Sequence, residues 1–516
     1  MALLSKLRPI VLKAGTDETS STLEGYAEFW KIPHQLNVPD AQDSIVFTSD
    51  RTTAFQSSKQ RSVILTPGGR EEAEKAASDL GVRVSSTKRL VRLPVRKGTT
   101  VSLRADVYEY TGSRIEPLLL SEGTPILSRV HGTNVHLLGL DLVTEYTRLV
   151  HDGFEQVPSR RFSLVSKLPF SYQSIPSFIR NRSFRSERGL SELKEENLGP
   201  VECLRTIFLA SIVKIAGPIP RIGFWRRGKS YALSVSHDVE TSTGLEKGAQ
   251  KLMEVEEALH IRSTWNIPSD RYPLNPTSLK NLVKNGEVGA HDTRHDGRLV
   301  FLSIEEKTRR LTRCRAKIET LVDQRIQGFR APLLQHSPGL AEALSHSGYD
   351  YDSSCPSWEI LSPTSLRPHG VGTVFPFYTR GILEVPVSLP QDHQLIRVAG
   401  QKPSAAVDLL LQLSTWIRGV GGACILLVHP DYEFADAENK AQYARLLESF
   451  RLDPDCDIMT LGELASWWNM RSKARITTES DNVSITSPEH LRGADDLQAQ
   501  LVSGYGDEGF SVVNIS

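Results

Sequence analysis

The stretch Val288-Gly-Ala-His291-Asp-Thr-Arg-His295 ends an apolar run with two histidines four residues apart. Upstream, a second apolar run, Tyr231-Ala-Leu-Ser-Val-Ser, closes on His237-Asp238-Val239-Glu240. Two imidazoles one helical turn apart, joined by a carboxylate from a neighbouring strand, make a facial metal site with open positions for water and substrate. The spacing thus predicts strands that deliver all of these groups to one rim.

Working outward, strand-like runs fall at 231–237, 262–267, 287–291, 326–330, 382–388, 423–429 and 457–460. Helical patterns lie between most of them, at Glu305 to Val322, Ala405 to Ile417 and Asn439 to Phe450. Repeated strand-then-helix units predict a distorted parallel (β/α) barrel over 229–472, in which functional side chains sit at the C-terminal ends of strands. Five polar positions meet that rule: Asp238 with Glu240, His291 with His295, Arg330 in Gly328-Phe-Arg-Ala-Pro332, Asp352 in Gly348-Tyr-Asp-Tyr-Asp-Ser-Ser354, and His429 in Cys424-Ile-Leu-Leu-Val-His-Pro430. Glu384 and Asp392, around a late strand, are further cleft candidates. His237 alternates to the other face of its strand and is expected to pack. His336 and His346 read as solvated, and Trp467-Trp468 as core closure.

A chain of 516 residues exceeds one core and predicts two or three domains. Residues 1–165 alternate strands (Ser44 to Ser49, Ser62 to Thr66) with helices (Arg70 to Leu80, closed by Gly81), which predicts a smaller open α/β domain. Its layout is similar to the class I glutamine-amidotransferase-like fold. It has no nucleophile, since the first cysteine of the chain is Cys203. Residues 166–228 read as a connector with one packed helix, and 473–516 as a short β-type appendage or tail.

Basic and acidic residues balance at 61 each, so nothing favours a nucleic-acid partner. The opening Met1-Ala-Leu-Leu-Ser-Lys-Leu-Arg-Pro lacks the unbroken apolar region of a secretory signal, and no run reaches the roughly eighteen residues of a membrane span. Cys203, Cys314, Cys355, Cys424 and Cys456 show no paired spacing, which suits reduced thiols in a cytoplasmic protein.

In order, Ser-His-Asp238-Val-Glu240, His291-Asp-Thr-Arg-His295, Arg330-Ala-Pro332, Asp352-Ser-Ser and Leu-Val-His429-Pro resemble the five motifs of the polysaccharide deacetylases with a NodB-type domain, carbohydrate esterase family four and relatives. The resemblance covers roughly residues 230 to 468. It implies one divalent metal ion, zinc by preference, held by Glu240, His291 and His295. Asp238 would be general base, oriented by Arg330, and His429 the acid. Asp352 and Pro332 would contact substrate or Arg330. The usual adjacent aspartate pair is absent, because Val239 holds the second position, and the reverse assignment, with Asp238 as ligand, stays open. The implied reaction frees an amine from an N-acylated sugar or glycan-type substrate, and a homo-oligomer is compatible with it. Two rivals remain: a catalytically degenerate glycan-binding relative, and a metal-independent C–N hydrolase acting on a small cyclic amide.

Overall fold

A computed structural model describes residues 8–38, 44–166, 187–479, 482–487 and 493–515. The chain divides into two compact units, one formed by Met1–Val150, Gly199–Arg227 and Met470–Ser516, the other by His151–Leu198 and Gly228–Asn469.

In the first unit a seven-stranded sheet runs in the order Gln35–Leu36, Ile10–Lys13, Ile45–Thr48, Ser62–Leu65, Val135–Leu138, Thr124–Val130, Ile115–Ser121. The first five are parallel and the last two antiparallel. Helix Arg70–Leu80 stops at Gly81, whose φ of 66° suits a residue without a Cβ. The expected strand at Val82 extends much further, into a hairpin of Arg83–Arg96 with Thr99–Thr111. Helix Pro200–Ala216, the packed helix of the expected connector, is buried on nearly all sides. The C-terminal residues also join this unit: Ala499–Gly506 pairs antiparallel with Ile219–Ile222 and with Gly509–Asn514.

The second unit is built on a nine-stranded sheet. Its first strand, Tyr231–Asp238, is buried at all eight positions, as a parallel strand covered on both faces should be. From it the sheet passes through Ser263–Ile267, Gly286–Ala290, Gly328–Phe329, Tyr351–Asp352 and Ile382–Glu384 to the antiparallel edge Phe377–Thr379. On its other side lies Ala423–Leu427, and Cys456–Ile458 pairs with its first residues. Between the two ends of this curled sheet there is no strand ladder among the described residues. They meet instead through Leu389 N–H, which donates to the Ile425 carbonyl at 3.2 Å, and through the Ser388 hydroxyl, which bonds Ala423 O and Ile425 N. The distorted barrel expected from sequence is thus a curled α/β half-barrel with a seam. The physical cause is the short strand Ile382–Glu384, followed by Pro386, which cannot donate to a ladder.

Helix Ile304–Val322 starts at a capping box, with Ser303 and Glu306 each accepting the other's backbone N–H, and ends at Asp323 with φ 56°. That defined start fixes Arg310 against the loop that carries the two histidines. No described helix is long and apolar enough to cross a membrane.

Candidate metal centre

Asp238 ends its strand; just beyond it Val239 is fully buried in the core, while Glu240 is only partly buried. Asp238 Oδ1 accepts from Asn266 Nδ2 at 2.9 Å and from Arg330 Nη1 at 3.3 Å. Burial alone would raise its pKa, but facing His291 and Arg330 hold the carboxyl below its ordinary value. Glu240 is gripped from the opposite loop: Tyr432 donates its phenol to Oε2 at 2.7 Å, and Asp431 accepts the Glu240 N–H at 2.9 Å. Against the cost of burial, His295 keeps this carboxyl ionised, well below the usual range.

The two histidines do not lie on a helix, which corrects the helical-turn spacing. They stand on an irregular loop after Gly286–Ala290, with Asp292 at φ 63° and His295 at φ 54°. Left-handed backbone at two non-glycine residues is unusual and needs external support. Arg310 supplies it, binding both oxygens of fully buried Asp292 and reaching Asp296 at 2.8 Å. The ring centroids end 4.8 Å apart. His291 Nδ1 lies 2.8 Å from the Arg330 carbonyl, which can only accept, so Nδ1 carries the proton and Nε2 presents a lone pair. That Nε2 is buried without a hydrogen-bond partner, 3.8 Å from Asp238 Oδ2. Burial pushes His291 down to about 4, so the imidazole is neutral at pH 7. His295 Nε2 sits 3.1 Å from Glu240 Oε1.

Arg330 is wholly buried and donates to Ser353 O, Ser353 Oγ, Ser236 Oγ and Asp238. Asp352 is also fully buried, and its Oδ1 accepts the Ser354 hydroxyl. It lies against Glu384, and burial pushes both carboxyls up, Asp352 to about 7 and Glu384 well above its ordinary value. Pro332 is buried at the start of a tight turn whose Leu333 and Leu334 both have positive φ.

His429 closes the other side. Asp392, a cleft candidate from sequence, accepts its Nδ1–H at 2.8 Å and its backbone N–H at 3.0 Å. Burial opposes the charged ring, yet Asp392, Glu240 and Asp238 lift it to about 9, so His429 is an imidazolium at pH 7 with Nε2 as its remaining donor. His393 and Tyr432 flank it, with ring centroids 6.4 and 5.3 Å away.

The remaining histidines divide. His237 packs as expected, bonded to Val428 O and Glu256 and stacked on Trp265. His346 is exposed, but His336, read as solvated, is fully buried with its Nε2 2.6 Å from His369 Nε2. The strained turn at Leu333–Leu334 carries it inward. Trp467 and Trp468 are buried.

Glu240, His291 and His295 offer ligand atoms all within 4.8 Å of one another. Two imidazoles and one carboxylate are a donor set for a divalent metal with open positions, and a buried, unpartnered imidazole nitrogen is the mark of such a site. The residues present therefore fit a cation. Four partners escaped the sequence reading: Asn266, Tyr432, Asp431 and Arg310. Only Asp431 and Tyr432 carried a signal, their place directly after His429-Pro430.

No family model matches the chain, and no curated protein does. Solved structures similar to it include a protein assigned as a polysaccharide deacetylase from Mycobacterium smegmatis, at 18% identity and a TM-score of 0.41, covering 48% of this chain and 92% of that one. Puue allantoinase is similar at 14% identity and TM-score 0.39, over 48% and 93% of the two chains. The peptidoglycan deacetylase PdaC from Bacillus subtilis follows at 15% and 0.33, over 47% and 94%.

Proposed function

We propose that this chain is a metal-dependent hydrolase that removes an N-acyl group, in the first instance acetyl, from a sugar or glycan precursor. One observation carries the reading: His291 Nε2, buried without a hydrogen-bond partner, belongs to a cluster with Glu240 and His295 whose ligand atoms lie within 4.8 Å of one another. When bound by Glu240, His291 and His295, a divalent cation, zinc for this donor set, polarises an acyl carbonyl and acidifies a water.

Asp238 takes the proton of the attacking water, and its neighbours suit it to that role. Arg330 is the permanent positive charge beside Asp238 and also fixes the carboxylate's direction. Asn266 donates to the same oxygen, Oδ1, and leaves Oδ2 for the water. His429 hands its Nε2 proton to the leaving nitrogen as the C–N bond breaks. The products are a free amine and a carboxylic acid. Asp392 holds the His429 ring and its charge in place throughout. Five buried cysteines, none in a disulfide, suit a cytoplasmic setting and a soluble or lipid-linked precursor as substrate.

The test is acetate release from a panel of N-acetylated sugars and nucleotide-sugars, with and without added zinc. Zinc-dependent release that His291→Ala abolishes is expected. Hydrolysis that survives both strong chelation and loss of His295 would transfer the reading to a metal-free C–N hydrolase.

A further inference from the structure

The loop after Ala423–Leu427 does more than carry His429. Tyr432 donates to Glu240 Oε2, while Oε1 of the same carboxylate points at His295, 3.1 Å away. Asp431 accepts the Glu240 backbone N–H and the Thr241 hydroxyl. The backbone presses close here: a Cβ on Gly248 would stand 1.9 Å from the Pro430 carbonyl oxygen, and one on Gly244 would strike the Asp431 carboxylate. Tyr432 is itself fixed, with the Arg397 guanidinium 5.0 Å from its ring centre and the His393 ring 5.4 Å away. Two loops from neighbouring strands are thus tied by three hydrogen bonds that converge on Glu240 and the residue after it.

We infer that the Tyr432 hydroxyl is a positioning group for metal binding: it holds one oxygen of Glu240 so that the other is presented to the cation beside His291 and His295. A glutamate has one more rotatable bond than an aspartate, and an unrestrained one in this place would spend part of its time turned away. The phenol removes that freedom by occupying Oε2. The same loop brings His429, so the carboxylate ligand and the proton donor are set by one rigid segment. This rests on the hydrolase reading only in needing a cation at Glu240, His291 and His295.

The experiment is zinc affinity, measured by competition against a chromogenic chelator, for the wild type, Tyr432→Phe, Glu240→Ala and the double variant. Tyr432→Phe keeps the ring and its contacts, so apo melting temperature should stay put. Loss of such an outer partner weakens metal binding about 10–100-fold. In the Glu240→Ala background the second change should cost nothing further, since the hydroxyl acts through that carboxylate. Equal affinity for wild type and Tyr432→Phe, or an equal loss in both backgrounds, overturns the inference. Absence of tight zinc binding by the wild type overturns the hydrolase reading itself.

Discussion

Asp238 and His429 are held in opposite protonation states, Asp238 by the cationic groups around it and His429 above all by Asp392. Asp238→Asn keeps the shape and removes the base, so turnover should fall about 10²–10⁴-fold, the worth of a positioned proton acceptor. Zinc should stay bound, as equilibrium dialysis would read, because Asp238 spends its Oδ1 on Arg330 and Asn266. If the ion leaves instead, Asp238 is the ligand and the two carboxylates exchange roles. On the proposed mechanism His429 sets the alkaline limit. It must be protonated to act, so activity falls as pH rises through its pKa, about 9 in the metal-free protein and lower once a cation repels the imidazolium. Asp392→Asn removes the carboxylate that lifts it, so the alkaline limb of the kcat profile should move down by about 1–3 pH units. An unmoved limb would exclude His429 as the acid.

At the scale of elements, the histidine loop is the part that needs outside help. Arg310, on the capped helix, pairs with buried Asp292 and with Asp296. Arg310→Met would strand a buried carboxylate, at a cost of about 3–5 kcal/mol read by denaturant unfolding, and zinc affinity should fall with it as the loop loosens. The strands that deliver Asp238, His291, Arg330 and His429 were legible because each is a mostly apolar run that ends on a polar residue. The loop between His291 and His295 was not. Its left-handed turn at Asp292 is imposed by an arginine 18 positions away, which no local spacing reveals. The burial of His336 has the same origin in a turn at Leu333 and Leu334 that no apolar pattern announces. The hairpin Arg83–Arg96 with Thr99–Thr111 was missed past its start because its outward residues are arginines, lysines and threonines, which read as loop.

Across the whole molecule, the proposed chemistry belongs to the second unit, whose parallel strands open their C-terminal ends to one rim. Seam and rim share residues: Ser388 and Leu389 stitch the half-barrel shut a few positions before Asp392, so the acid side of the site is fixed where the ladder is interrupted. A ligand that binds only the folded chain stabilises it, by about 2.7 kcal/mol when present at one hundred times its Kd. Zinc should therefore raise the melting temperature of the wild type and leave that of His291→Ala unchanged.

The most direct measurement is anomalous diffraction at the zinc edge from crystals of the zinc-loaded protein. A single strong peak about 2.0–2.2 Å from His291 Nε2, His295 Nε2 and a Glu240 oxygen is expected. A peak elsewhere, or none at these three residues in a fully loaded crystal, would contradict the metal centre.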